Sequence, residues 1–181
     1  MNILIFGVQG SGKSTVGKYI AKKLNIPFIA TGDIFRELSK EKSKLGNLVK
    51  KMIGQGMMVP DEPTMVIVNK RLEEEDSQSG FLLDGAPRNL HQVEIFKKVP
   101  DLLVLVELVE KEAVARLFNR GRLDDTKEKI ATRISWYKAQ TKPVISFYKD
   151  KGIKVIKVDN SPSEEVVRKN LDVLFEEFKR N

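Results

Sequence analysis

Short, almost unbroken apolar runs recur along this chain, and the stretches between them alternate polar and apolar residues with a helical period. The runs cover residues 2–6, 27–30, 81–84, 102–108 and 154–158. They are apolar at successive positions, as strands buried on both faces must be. Helical periodicity covers residues 13–24, 32–39, 63–74, 111–119, 126–149 and 163–179. The last of these puts Val167, Leu171, Leu174 and Phe178 on one stripe. Ser161-Pro162-Ser163-Glu164 ahead of it reads as a capping box with proline in the first turn. Pro143 lies inside the segment that starts at Thr126 and predicts a kink or break near Lys142. Strands and helices in alternation predict an α/β fold, a five-stranded parallel sheet with helices on both faces. Two stretches interrupt it: residues 32–80 hold three helices without a strand, and residues 121–125 form a short loop bearing arginine and aspartate. Such insertions carry function or mobility.

Composition narrows the classes. At 181 residues the chain is expected to be one domain with a substantial core. It has no cysteine, so neither a disulfide nor a thiolate zinc site is expected. No apolar run approaches the ~18 residues of a membrane span. The apolar start reads as a buried strand and not as a leader, so the expected compartment is the cytoplasm. The net charge of +7 implies attraction to phosphate in some form. Lys40, Lys42, Lys44, Lys50 and Lys51 are scattered along helical stretches, with no basic stripe interleaved with aromatics, so nucleic acid is not an expected partner.

The chemistry begins at Gly7-Val8-Gln9-Gly10-Ser11-Gly12-Lys13-Ser14, a complete phosphate-binding loop with a strand before it and a helix after it. Gly7, Gly10 and Gly12 let backbone N–H groups converge on phosphate at the positive end of the following helix. Lys13 reaches the β- and γ-phosphates in this motif, and the Ser14 hydroxyl is placed for Mg²⁺. The strand 81–84 ends in Asp84, where P-loop NTPases place an acid near the metal. Arg116, Arg120, Arg122 and Arg133 cluster around the irregular loop, while lysine does most of the surface duty. Guanidinium groups suit bidentate phosphate recognition and base stacking. Transfer to a hydroxyl needs a positioned base. A phosphate monoester, with a second pKa near ~6, is already a dianion and needs cations instead. His91 lies in a helical stretch and reads as a surface residue. Asp33 is the one plausible base, in a first turn where an acid is expected for the dipole anyway. Many arginines and no clear base favour a phosphate acceptor.

With Gly7 to Thr15, Ala30-Thr31-Gly32-Asp33-Ile34-Phe35-Arg36, Gly56-Met57-Met58-Val59-Pro60-Asp61, Gly80-Phe81-Leu82-Leu83-Asp84-Gly85-Ala86-Pro87-Arg88, Gln92, Arg116 to Arg120, Arg122-Leu123-Asp124-Asp125, Arg133 and Val158-Asp159 in order, the chain resembles the adenylate kinase family over nearly its whole length. The resemblance implies ATP and AMP as substrates, ADP as product and Mg²⁺ as cofactor. It implies a single domain, 1–181, with core 1–30, 60–120 and 126–181, an AMP-binding flap over 31–59 and a short lid over 121–125. ATP would be held by Gly7, Gly10, Ser11, Gly12, Lys13, Ser14, Thr15, Arg116 and Arg120, with Arg116 stacked on the adenine. AMP would be held by Thr31, Arg36, Met57, Met58, Val59, Gly85, Arg88, Gln92, Arg122 and Arg133, with Gln92 reading the adenine edge. Lys13, Arg88, Arg120, Arg122 and Arg133 would neutralise the transferring phosphoryl group, and Ser14 and Asp84 would serve the metal, through water. Asp124 and Asp125 would shape the loop and cap the helix at Thr126.

Two positions depart from the family pattern. Ala86 replaces a usual aromatic, and one residue, Gly121, separates Arg120 from Arg122, so the lid is extremely short. Water exclusion then falls to the flap and the arginines. Three alternatives stay open. A uridylate/cytidylate kinase of the same fold is opposed by Thr31 and Gln92. A switch GTPase is opposed by Asn69-Lys70-Arg71-Leu72, which lacks the aspartate of a guanine reader. An RNA-associated P-loop module would show a steep salt dependence.

Overall fold

The structure is a computed structural model and describes residues 1–120 and 126–180. Five strands, β1 (Asn2–Phe6), β2 (Phe28–Ala30), β3 (Phe81–Asp84), β4 (Leu102–Glu107) and β5 (Lys154–Asp159), form one sheet in the order β2-β3-β1-β4-β5. Every pairing is parallel. Around the sheet lie α1 (Lys13–Leu24), α2 (Thr31–Leu38), α3 (Lys44–Gly54), α4 (Asp61–Arg71), α5 (Leu90–Ile95), α6 (Glu110–Arg120), α7 (Lys127–Trp136), α8 (Lys142–Asp150) and α9 (Glu164–Arg180). The α/β expectation therefore holds, strand by strand.

Successive side chains of a strand point to opposite faces, so a doubly covered sheet turns one apolar run into two cores. Ile3 and Ile5 of β1 pack with Val16 and Ile20 of α1 and with Val167, Leu171 and Phe175 of α9. Leu4 and Phe6 pack with Met65 and Val68 of α4 and with Val144 and Tyr148 of α8. Each such side chain, taken fully out of water, stabilises the fold by about 1.5–3 kcal/mol. Ala86 is buried in the second core, on the same side as Phe96.

The long segment expected from Thr126 is divided by a π-helical turn, Tyr137–Thr141, between α7 and α8. Pro143 has no N–H to give and its ring crowds the carbonyl four residues back, so the kink or break expected near Lys142 takes the form of a widened turn just ahead of it. Thr126 caps α7 itself, its Oγ1 accepting from the Lys129 N–H at 3.3 Å. The capping box expected at Ser161 does not form there. α9 starts at Glu164, and the Ser161 N–H and hydroxyl both donate to the Asp159 carboxylate, at 2.9 and 3.0 Å.

Candidate active site

Gly7, Thr31, Gly85 and Asn160 each follow the last residue of a strand, so the site collects along the carboxyl edge of the sheet. Gly10 and Gly12 have φ of 88° and 87°. A Cβ on Gly10 would stand 2.2 Å from the Ala113 carbonyl oxygen, and one on Gly12 2.2 Å from Asn160 Nδ2. Both conformation and space therefore require glycine in this loop. Lys13 Nζ donates to the carbonyls of Gly7 and Val8 at 2.9 and 3.1 Å, folded over the loop. Ser11 is fully buried, and its Oγ has no hydrogen-bond partner among the described residues. Thr15 lies in the first turn of α1. Ser14 Oγ donates to Asp84 Oδ2 at 3.0 Å, so the sequence pair expected at the metal is in contact across 70 residues of chain. A hydroxyl and a carboxylate side by side are the hard oxygen donors Mg²⁺ prefers, with nucleotide phosphates and water completing the shell.

A second cluster faces the end of β3. Thr31 is buried and its Oγ1 makes no hydrogen bond among the described residues. It does not cap α2, whose cap is Ala30 and which has no side-chain cap bond. A Cβ on Gly85 (φ 99°) would lie 3.2 Å from Arg88 Nη2 and 3.5 Å from Thr31 Oγ1, so the three residues line one spot. Arg88 Nε donates to the Gly85 carbonyl at 2.7 Å and Nη1 contacts Met58 Sδ at 3.2 Å. Arg88 is open to solvent within a crowded cleft. The crowding pushes its pKa below the ordinary arginine value, Asp84 pulls it back up and Arg133 pushes it down. On the expected flap, Arg36 is ion-paired with Asp33, which engages the one candidate base. Met57 is exposed, and buried Val59 offers its carbonyl to Thr64 Oγ1 at 3.2 Å.

Gln92 is 1% exposed, and both ends of its amide are engaged within the protein. Nε2 donates to Asp61 Oδ1 at 2.6 Å, and Oε1 accepts from the Arg88 N–H at 2.7 Å. Asp61 also takes Asn89 Nδ2 at 3.0 and 2.9 Å. His91, beside it on α5, is a surface residue bridging Glu62 and Glu94. Those two hydrogen bonds, Glu62 first, raise its pKa.

On the other flank, Arg116 Nη2 donates to Glu112 at 2.6 Å and to the Asn160 carbonyl at 3.0 Å. Asn160 Nδ2 donates to the Ser11 carbonyl at 2.7 Å, tying the end of β5 to the phosphate-binding loop. Asn160 carries this geometry without any sequence signal, and Asp61 closes the Gly56–Asp61 motif with no site role expected of it. Arg133 projects from α7 close enough to Arg88 for the charges to interact. Four residues earlier, Lys129 lays its stem against Gly56 and points Nζ at the Gly54 carbonyl, 3.4 Å away, bridging the end of α3 and α7. Arg120 closes α6, its side chain beyond what is described. Gly121, Arg122, Asp124 and Asp125 lie outside the described residues. No helix among the described residues is long and apolar enough to cross a membrane.

A parallel sheet with a glycine loop after β1, a Ser–Asp pair in contact beside it and a facing arginine cleft defines a P-loop phosphotransferase. A family model described as adenylate kinase matches residues 5–153. The chain is 39% identical over 186 positions to an adenylate kinase of Thermobifida fusca, covering 96% of this chain and 98% of the relative. It is 42% identical over 168 positions to one of Clavibacter michiganensis, covering 87% of this chain and 84% of the relative. Against one of Staphylococcus aureus it is 34% identical over 213 positions, covering 96% of this chain and 99% of the relative. The chain belongs to the adenylate kinase family.

Proposed function

We infer that this protein transfers the γ-phosphoryl group of ATP to AMP in a reversible, Mg²⁺-dependent reaction that yields two ADP and balances the adenine nucleotides. The relatives' names support the activity. The observation that carries the arrangement is the adjacency of two phosphate-binding clusters. Asp84 touches Ser14 on the donor side and precedes Gly85, which lies against Arg88 and Thr31 on the acceptor side.

In this reading the loop from Gly7 to Thr15 cradles the ATP phosphates, and Arg116 stacks on the donor base beside Asn160. Ser14, and Asp84 through water, would hold Mg²⁺, which when bound neutralises charge on the β- and γ-phosphates. Arg88 takes the AMP phosphate, with Thr31, Arg36, Gly85, Gln92 and backbone of Met57 to Val59 around the nucleoside. Lys13, Arg88, Arg120, Arg122 and Arg133 share the charge of a loose, in-line transition state. The domain division is residues 1–30, 60–120 and 126–181 as core, 31–59 as flap and 121–125 as lid. The cytoplasm is the compartment this metabolic role suits.

The test is ADP formation from ATP and AMP with Mg²⁺ and with EDTA, in the wild type and in Lys13→Ala. We expect EDTA to abolish turnover and the substitution to lower kcat at least a hundredfold, as loss of a preorganised charge does. Undiminished turnover in Lys13→Ala would remove the donor assignment.

A further inference from the structure

The structure assigns Thr141 the role of a positioning residue for Arg88, and the π turn the role of presenting it. The inference rests on Arg88 binding the acceptor phosphate. Arg88 sits in the irregular stretch between β3 and α5, where no regular hydrogen-bond ladder fixes the backbone. Its peptide groups are gripped from two sides instead. Gln92 Oε1, anchored through Asp61, holds the N–H at 2.7 Å. Thr141 Oγ1 donates to the Arg88 carbonyl at 2.9 Å, across 53 residues of chain.

The two grips differ in what they connect. The Gln92 grip belongs to the neighbouring helices α4 and α5. The Thr141 grip reaches the helix that carries Arg133, whose charge interacts with Arg88. Two cations repel, so a cleft that brings both to bear on one phosphoryl group needs a scaffold fixing their separation.

The π turn explains how one helix supplies both contacts. Thr141 is eight residues beyond Arg133. In a regular α-helix eight residues turn about 800°, about 80° past two full turns, which would carry Thr141 off the Arg133 face. A π turn takes up about one extra residue, leaving about 700°, roughly 20° short of two turns. Thr141 is thereby brought onto the face of Arg133, toward the β3–α5 loop. Pro143, by favouring the widened turn, is part of the same device.

The test is steady-state kinetics of Thr141→Val and Thr141→Ser with AMP varied at saturating MgATP, alongside thermal melts and Arg88→Ala. Valine keeps the branched shape without the donor, and serine restores it. We expect Thr141→Val to lose about fivefold in kcat/KM for AMP, the worth of one neutral hydrogen bond, with kcat included in the loss. Its KM for ATP and its Tm should stay near wild type, and Thr141→Ser should recover to within about twofold. Full activity in Thr141→Val while Arg88→Ala is crippled overturns the inference alone. A serine variant as impaired as the valine one overturns it as well. Full activity in Arg88→Ala overturns both this inference and the reading beneath it.

Discussion

Gln92 is a buried amide with a structural duty, and the proposed function adds a substrate duty to it. A carboxylate accepts only and an N–H donates only, so Asp61 and the Arg88 N–H fix which end of the amide faces which way. One hydrogen and one lone pair remain, the complement of an adenine edge. Gln92→Leu would leave the Arg88 N–H without its acceptor and strip one donor from Asp61. We expect a stability loss of about 1–3 kcal/mol in denaturant titrations, together with reduced activity. An unchanged midpoint would show that the amide bears no structural load. Lys13, Ser14 and Asp84 were legible from the phosphate-binding loop and a strand that ends in an acid, whereas Thr31, Gly85 and Arg88 were singled out only by the family resemblance. Asn160 and Thr141 were legible in neither way, since their hydrogen bonds span 149 and 53 residues and nothing in the local pattern marks them.

At the scale of elements, the strands and the longer helices follow from apolar period alone, because the sheet is covered on both faces. The π turn did not, since proline in a helical pattern signals disruption without specifying its form. The contact of Lys129 with the end of α3 was equally hidden. It links α7, which carries Arg133, to residues Gly54–Gly56. If residues 31–59 are the AMP-binding flap of the proposed function, this bridge helps hold that flap in place. Lys129→Ala should raise the KM for AMP about two- to threefold, the worth of one exposed charge-assisted contact, and leave the KM for ATP unchanged. An equal rise in both constants would place the lysine's effect elsewhere than the flap.

For the whole molecule, the chain places its candidate site residues at the carboxyl edge of one parallel sheet and commits its apolar residues to the cores beneath. The S. aureus relative aligns over 213 positions, more than the 181 residues present here, so it holds segments this chain lacks. The described residues keep the glycine loop, the Ser14–Asp84 contact and the Arg88 cleft, and under the proposed function these groups with Arg120, Arg122 and Arg133 would carry phosphoryl transfer without a base. The most direct measurement is therefore initial phosphoryl transfer from MgATP to AMP, CMP, UMP, GMP and a polyol alcohol, each offered separately. We expect rapid transfer to AMP with two ADP formed per AMP consumed, much slower transfer to the other monophosphates, and none to the alcohol. Preferential transfer to the alcohol, or ATP hydrolysis indifferent to AMP, would contradict the proposed function.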